Sequence, residues 1–382
     1  MSAYADRMTD AVPTELLADR LRRASEAAAE QGTDVLFVTP GTDLRYLTGF
    51  TGASHERLTC LVVPAAGHRA PPALVVPALE APGFADVPLE ALGVELVTWT
   101  DGDDPHLLVS DLSGGPTSMA VDDDMPARHV LGLRDAFPDV PQSLAGPVLR
   151  TLRMRKDPAE IARLRAAGEA IDRVHARMGE WLQPGRTEAQ VGADITAAIV
   201  AEGHAEAAFV IVGSGPNGAS PHHDVSDRVI EPCDVVVIDI GGPLPDGYNS
   251  DCTRTYAVGG EPSAEVKGTY AVLQEAQERA VAAVRPGVTA ASVDRAARGP
   301  IAEAGHGARF IHRTGHGIGL DVHEEPYIVD GNELVLEPGM AFSIEPGIYT
   351  PGSWGARIED IVVVTDDGVQ RLNHNPRDLV VL

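Results

Sequence analysis

Apolar residues between about positions 14 and 150 follow two rhythms. Glu15–Ala29 carries them at helical spacing, while Val35–Val38, Cys60–Val63, Ala73–Val76 and Val94–Val97 are short unbroken runs separated by Pro-, Gly- and Asp-rich turns. Helices alternating with such runs predict an α/β unit. It holds no cluster of His, Asp and Glu at ligand-like spacing, so a structural or substrate-shaping role is expected of it. The charged segment Arg153–Glu160 then opens an amphipathic helix over Ile161–Trp181, with Pro158 placed to start it. This break, near residue 155, predicts two domains, 1–154 and 155–382.

The second part repeats itself. Pro184-Gly185-x-Thr187-x-x-x-Val191 returns 102 residues later as Pro286-Gly287-x-Thr289-x-x-x-Val293, and Gly203-His204 returns as Gly305-His306 at the same offset. Gly213 and Gly315 keep that offset; Glu231-Pro232 and Glu337-Pro338 stretch it to 106. One match would be noise, but an ordered series implies two similar α+β halves about a pseudo-twofold axis.

The repeat turns chemical at its acidic residues. Val235–Ile238 ends on Asp239, and Met340–Ile344 ends on Glu345, again 106 residues apart. A second acid follows in each half, Asp251 and then Glu359. A single strand-end acid is best read as solvated. Four at matched positions converge on one interior point, where they cannot all stay ionised without cations. Oxygen-rich ligation with one imidazole suits paired Mn²⁺, Co²⁺ or Zn²⁺ ions.

Histidines gather nearby, at His312, His316 and His323 in a run punctuated by Gly315, Gly317 and Gly319. The i, i+4 spacing of His312 and His316 would suit a zinc helix, but the glycines argue for an extended, closely approached strand and loop. His316 is the candidate ligand. His222 lies 101 residues before His323, which sets the two on opposite sides of the cations as candidates to orient substrate and stabilise charge. A register shifted by one would put His223 in place of His222. His204 and His306 match each other at a turn of the repeat and read as structural.

Composition narrows the partners. The 382 residues carry 56 Asp and Glu against 30 Lys and Arg, a formal charge of −26. Such a field repels phosphate backbones and anionic lipid, so neither nucleic acid nor membrane is expected as a partner. Most of that charge reads as solvated surface. Cys60, Cys233 and Cys252 lack metal-site spacing and suit a reducing compartment. Residues 1–7 show no secretory pattern, no apolar run approaches a membrane span, and a cytoplasmic protein is expected.

Taken together, His316-Gly317-Ile318-Gly319-Leu320-Asp321-Val322-His323-Glu324, Ser343-Ile344-Glu345-Pro346-Gly347-Ile348-Tyr349 and Arg357-Ile358-Glu359-Asp360 resemble the prolidase and aminopeptidase P branch of the pita-bread (creatinase/aminopeptidase) metallopeptidases. Tyr46-Leu47-Thr48-Gly49-Phe50 resembles that branch's N-terminal domain more weakly. The resemblance implies an α+β chain, with a C-terminal pita-bread domain behind a creatinase-like N-terminal α/β domain. It implies two divalent ions, Mn²⁺ foremost with Co²⁺ or Zn²⁺ as alternatives, on Asp239, Asp251, His316, Glu345 and Glu359, with Asp251 and Glu359 bridging. It places His222 and His323 at the substrate and the tetrahedral centre, and His312 in the substrate pocket. Tyr349 and Arg357 would support the site or the substrate's carboxyl end. Glu345 would carry the proton from water to the leaving nitrogen. Homodimers or higher oligomers are implied, the N-terminal domain closing a neighbour's site.

The implied reaction is hydrolysis of the Xaa-Pro bond in di- or oligopeptides. Methionine aminopeptidases share the ligands but usually lack the long N-terminal domain and the Arg357 motif. Creatinase-like hydrolases and non-catalytic members of the fold replace ligands that are intact here. Between dipeptidase and aminopeptidase P, the short N-terminal domain leans towards dipeptidase.

Overall fold

The computed structural model describes residues 12–53 and 55–382, so residues 1–7, read above for a leader, lie outside it. Two compact units divide between residues 153 and 154. In the first, α1 (Thr14–Glu30) buries Leu17, Leu21, Ala24 and Ala28, a stripe at helical spacing. The apolar runs become β1 (Val35–Val38), β2 (Cys60–Pro64) and β3 (Ala73–Pro77), each buried along its whole length. Between β1 and β2 lies α2 (Thr42–Thr48). β4 (Glu95–Trp99) follows, then α3 (Pro105–Leu112), β5 (Met119–Val121), α4 (Ala127–Ala136), β6 (Gln142–Leu144) and α5 (Gly146–Met154). The sheet order is β4-β3-β2-β1-β5-β6, antiparallel at β1–β2 and β2–β3 and parallel elsewhere.

The second unit shows why its sequence repeats. α6 (Pro158–Ala176) opens on a capping box of Asp157 and Glu160. It stops short of the expected Trp181, and a tight turn over Met178–Glu180, which contains Gly179, takes over. α7 (Glu188–Ala201) is capped by Thr187, which accepts from the Gln190 amide. β7 (Phe209–Ser214), β8 (Asp234–Pro243) and β9 (Asn249–Val258) complete the first half. In the second half, α8 (Ala264–Ala283) precedes α9 (Ala290–Glu303), whose cap is Thr289, the repeat of Thr187. Gly185 and Gly287 both sit at positive φ, 88° and 86°, so each Pro-Gly turn needs its glycine. The isolated bridges Thr187–Val229 and Thr289–Val335 also match across the repeat.

The second half continues with β10 (Gly315–Gly317), β11 (Glu324–Ile328), β12 (Ala341–Ile344), β13 (Gly347–Thr350), β14 (Trp354–Arg357), β15 (Asp360–Val364) and β16 (Val369–Arg371). The last strand, β17 (Val380–Val381), returns to β9 in the first half's sheet. The sheets run β17-β9-β8-β7 and β11-β10-β12-β15-β16, with β13–β14 as a separate ribbon. Helices α6 and α7 pack on the first sheet through Ile171, Val191, Ile195 and Ile238, and α8 and α9 on the second through Leu273, Val293, Ile301 and Phe342. β8 and β9 run past the carboxylates rather than ending on them, since Gly241 and Gly242 keep pairing with Asp251 and Ser250. Among the described residues, no helix is long and apolar enough to cross a membrane.

Candidate metal centre

Pairing between β8 and β9 sets Asp239 opposite Thr253 and Gly241 opposite Asp251. Residues two apart share a face, so both aspartates point the same way as diagonal neighbours. From the other sheet, β10 offers His316, and the chain just after β12 offers Glu345. Glu359 sits between β14 and β15. β10 forms because its glycines permit close approach: a Cβ on Gly315 would lie 1.8 Å from the Ser343 carbonyl oxygen. The extended reading of the glycine-rich run is therefore the one that folds.

Ligating atoms of Asp239, Asp251 and Glu359 lie within 4.8 Å of one another, as do those of His316, Glu345 and Glu359, and those of Asp251, His316 and His323. Glu359, Asp251 and His316 each belong to two of these groups, and the first two are the carboxylates among them. The rings of His316 and His323 meet edge to face, 4.1 Å between centroids. Asp239, Asp251, His316 and Glu359 are all buried.

Burial, followed by repulsion from Glu359, Asp239 and Glu345, holds the Asp251 carboxyl well above its usual range. Burial and the charges of Glu345 and Asp239 do the same to Glu359. Glu345 is pushed up to about 7 by burial, with Arg357 opposing and Asp239 adding to it. Burial, then the neighbouring His323, lowers His316 to about 3. Its Nδ1 donates to the Gly317 carbonyl at 3.0 Å, which leaves the Nε2 lone pair facing Asp251 and Glu345 at 3.5 and 3.4 Å. Oδ1 of Asp239 and Oε1 of Glu359 are buried with no hydrogen-bond partner. Lone pairs crowded this closely, with two oxygens unpaired, fit a pair of divalent cations.

A second layer fixes these groups. Arg357 donates from Nη2 to Asp239 Oδ2 at 2.6 Å and to the Pro221 carbonyl at 3.3 Å. It donates from Nε to Thr253 Oγ1 at 3.1 Å, and Thr253 in turn donates to Glu359 Oε2 at 2.8 Å. Nη1 donates to the Tyr349 hydroxyl, which is 2.8 Å from His312 Nε2. His312 Nδ1 donates to the Arg313 carbonyl, so the Tyr349 proton points to Nε2. Burial, then the charge of Arg357, lowers His312 to about 3.

His222 is exposed, yet its charge bears on both His312 and His323. His223 instead donates to the buried Glu188 at 2.7 Å. His204, read as structural, is buried between the Ile199 carbonyl and Ser250.

Sequence reasoning missed Thr253, Arg313 and Glu188. Thr253 had a signal, since it stands two residues beyond Asp251 and shares its face. Arg313 lies within the histidine run itself. Its guanidinium stacks on Tyr327, 4.4 Å from the ring centroid, and its charge bears on His316, His323 and Glu345.

Residues 162–366 match the sequence model of metallopeptidase family M24, and residues 20–155 that of the creatinase/prolidase N-terminal domain. The chain belongs to family M24. Its fold is that family's pita-bread architecture behind a creatinase-type N-terminal domain. The M24 chain is 58% identical over 369 residues to the probable dipeptidase PepE of Mycobacterium tuberculosis H37Rv, covering 96% of this chain and 97% of that one. It is 37% identical over 363 residues to the Xaa-Pro dipeptidase of Lactobacillus helveticus, covering 92% and 96%. The crystal structure of dipeptidase PepE from Mycobacterium ulcerans is similar with a TM-score of 0.93 at 56% identity, covering 97% and 99%. Membership of M24 implies divalent metal ions, and the cluster just described is where this chain could hold them.

Proposed function

We propose that this M24 peptidase is an Xaa-Pro dipeptidase carrying two divalent ions on Asp239, Asp251, His316, Glu345 and Glu359. The observation that carries the reading is the overlap of the ligand groups at Asp251 and Glu359, together with the two unpaired buried oxygens. Both suit side chains that would hold divalent cations. The names of the two relatives, one a dipeptidase and one an Xaa-Pro dipeptidase, support the substrate class. A donor set of four carboxylates and one imidazole favours Mn²⁺ over softer ions.

Bound there, the ions supply Lewis-acid polarisation of the scissile carbonyl and acidify the attacking water. Glu345 is half-buried where Asp239, Asp251 and Glu359 are buried, which suits it to meet the substrate. Ser343 donates to its Oε1 at 3.2 Å and fixes its rotamer. Glu345 accepts a proton from the attacking water and returns it to the proline nitrogen as the C–N bond breaks. His323 donates to the developing oxyanion, and His222 attends the proline nitrogen. Proline offers no amide hydrogen, so selectivity rests on pocket shape.

A dipeptidase must also hold the carboxylate that follows proline. Arg357 is committed to Asp239, Pro221, Thr253 and Tyr349, which makes it a support. Arg313 shows no ion pair among the described residues, and its charge reaches Glu345. We assign the substrate carboxylate to Arg313, with His312 and Tyr349 lining the proline pocket. The N-terminal unit is proposed to serve oligomerisation and substrate shaping in a homodimer. The three free cysteines suit a reducing cytoplasm.

Metal analysis of the purified protein, paired with assays on Ala-Pro and Ala-Pro-Ala, tests the reading. Two ions per chain and cleavage of Ala-Pro alone are expected. Cleavage of Ala-Pro-Ala in preference would make it an aminopeptidase P, and absence of bound ions would overturn the proposal.

A further inference from the structure

Glu188 is the first residue of α7, and its carboxylate is fully buried, outside the metal cluster. A buried charge is costly unless donors surround it. Here they come from one stretch of chain: Ser214 N at 2.8 Å, Ser214 Oγ at 2.6 Å, Asn217 Nδ2 at 3.1 Å, His223 Nε2 at 2.7 Å and Ser226 Oγ at 2.5 Å. Ser214, Asn217, His223 and Ser226 are thus gathered onto a single side chain.

His222 stands within that segment. The opposite side of the segment is also fixed. The Pro221 carbonyl accepts from Arg357, and the turn at Gly218 packs so tightly on β14 that a Cβ on Gly355 would lie 1.9 Å from its carbonyl oxygen. His223 is turned to Glu188, while His222 is exposed and near enough to His312 and His323 for its charge to bear on both. The repeat does not copy the arrangement residue for residue. The residue 102 positions after Glu188 is Ala290, and the matching helix instead buries Asp294, which accepts from Thr314 and Arg298.

We propose that Glu188 is a positioning residue that, through His223 and Asn217, fixes the 214–226 segment so that His222 is presented to the substrate. This rests on the role given above to His222. It treats the adjacent histidines as one device, with one ring as the anchor and the other as the working group.

The test is a double-mutant cycle on Mn²⁺-loaded protein with Ala-Pro, reading kcat, KM and metal content separately. Glu188→Gln is expected to lower kcat about ten-fold or more, with KM changed by less than about two-fold and both ions retained. In a His222→Ala background, the same substitution should lower kcat by less than about two-fold. Asn217→Ala, which removes one donor and leaves the carboxylate in place, should show the same pattern at about three-fold, and it decides the matter if Glu188→Gln misfolds. Equal losses with and without His222 would mean general structural support and overturn the inference, as would unchanged kcat. If loaded wild type fails to cleave Ala-Pro, the dipeptidase reading itself falls. If wild type cleaves and His222→Ala is impaired while both anchor variants are not, only the present inference falls.

Discussion

Arg357 donates to Asp239 Oδ2 across 2.6 Å, with both side chains buried and the other oxygen, Oδ1, without a hydrogen-bond partner among the described residues. The pair joins β14 of one half to β8 of the other, so a cation in one repeat orients a ligand in its counterpart. Arg357→Met should therefore weaken divalent-ion affinity about 10- to 100-fold, the usual effect of losing a ligand's supporting partner. Metal titration followed by calorimetry measures this. If the guanidinium instead bound substrate, KM for Ala-Pro would rise at unchanged metal affinity.

Glu359 tests the electrostatics of the whole centre. Its carboxyl is held well above the usual range by burial and by Glu345 and Asp239, so the metal-free fold bears the cost of gathering these acids. Glu359→Gln should raise the melting temperature of the metal-free protein by a few degrees, yet abolish both ion loading and hydrolysis. Thermal melts with and without chelator check the first part, and elemental analysis the second. A variant that kept two ions and full turnover would sink the assignment.

Asp122 makes a prediction away from the site. Burial pushes its carboxyl from 3.8 up to about 6, although it accepts from the Thr39 amide and hydroxyl and from the Asp124 amide. With the folded value raised, its contribution is fully present below the unfolded value near 3.8 and is lost as pH rises through about 6. Relative to Asp122→Asn, the wild-type N-terminal unit should lose up to ~3 kcal/mol between pH 4 and pH 7. Hydrogen exchange at β1 and β5 amides reads that unit alone. A flat difference across this range would refute it.

These residues also mark what the sequence could reveal. Asp239, Asp251, Glu345 and Glu359 were legible because duplication placed each at a matched position, where coincidence is a poor explanation. The Pro-Gly turns were legible because positive φ at Gly185 and Gly287 leaves few alternatives to glycine. Glu188 and Arg313 were not legible. A buried carboxylate and a surface one look alike in a helix N-terminal turn, and only the folded 214–226 segment supplies Glu188 with its donors. Arg357 was visible as a motif residue, but its choice between ligand support and substrate contact depended on β8 lying beside β14.

Arg313 carries the substrate assignment, and its prediction separates charge from packing. Its guanidinium lies over Tyr327, and its charge favours the ionised form of Glu345. A charge-assisted hydrogen bond to a carboxylate contributes about 1.5–3 kcal/mol, or roughly 10- to 100-fold in binding. Arg313→Met should therefore raise KM for Ala-Pro by about that factor, while KM for the uncharged Ala-Pro amide changes by less than about two-fold. Arg313→Lys should recover only part of the loss, because an ammonium lacks the planar fork that meets both carboxylate oxygens. Steady-state kinetics on the two substrates decides between roles. An equal fall in kcat for both would show that Arg313 acts through Glu345 and the histidines, leaving the proline carboxylate to another group.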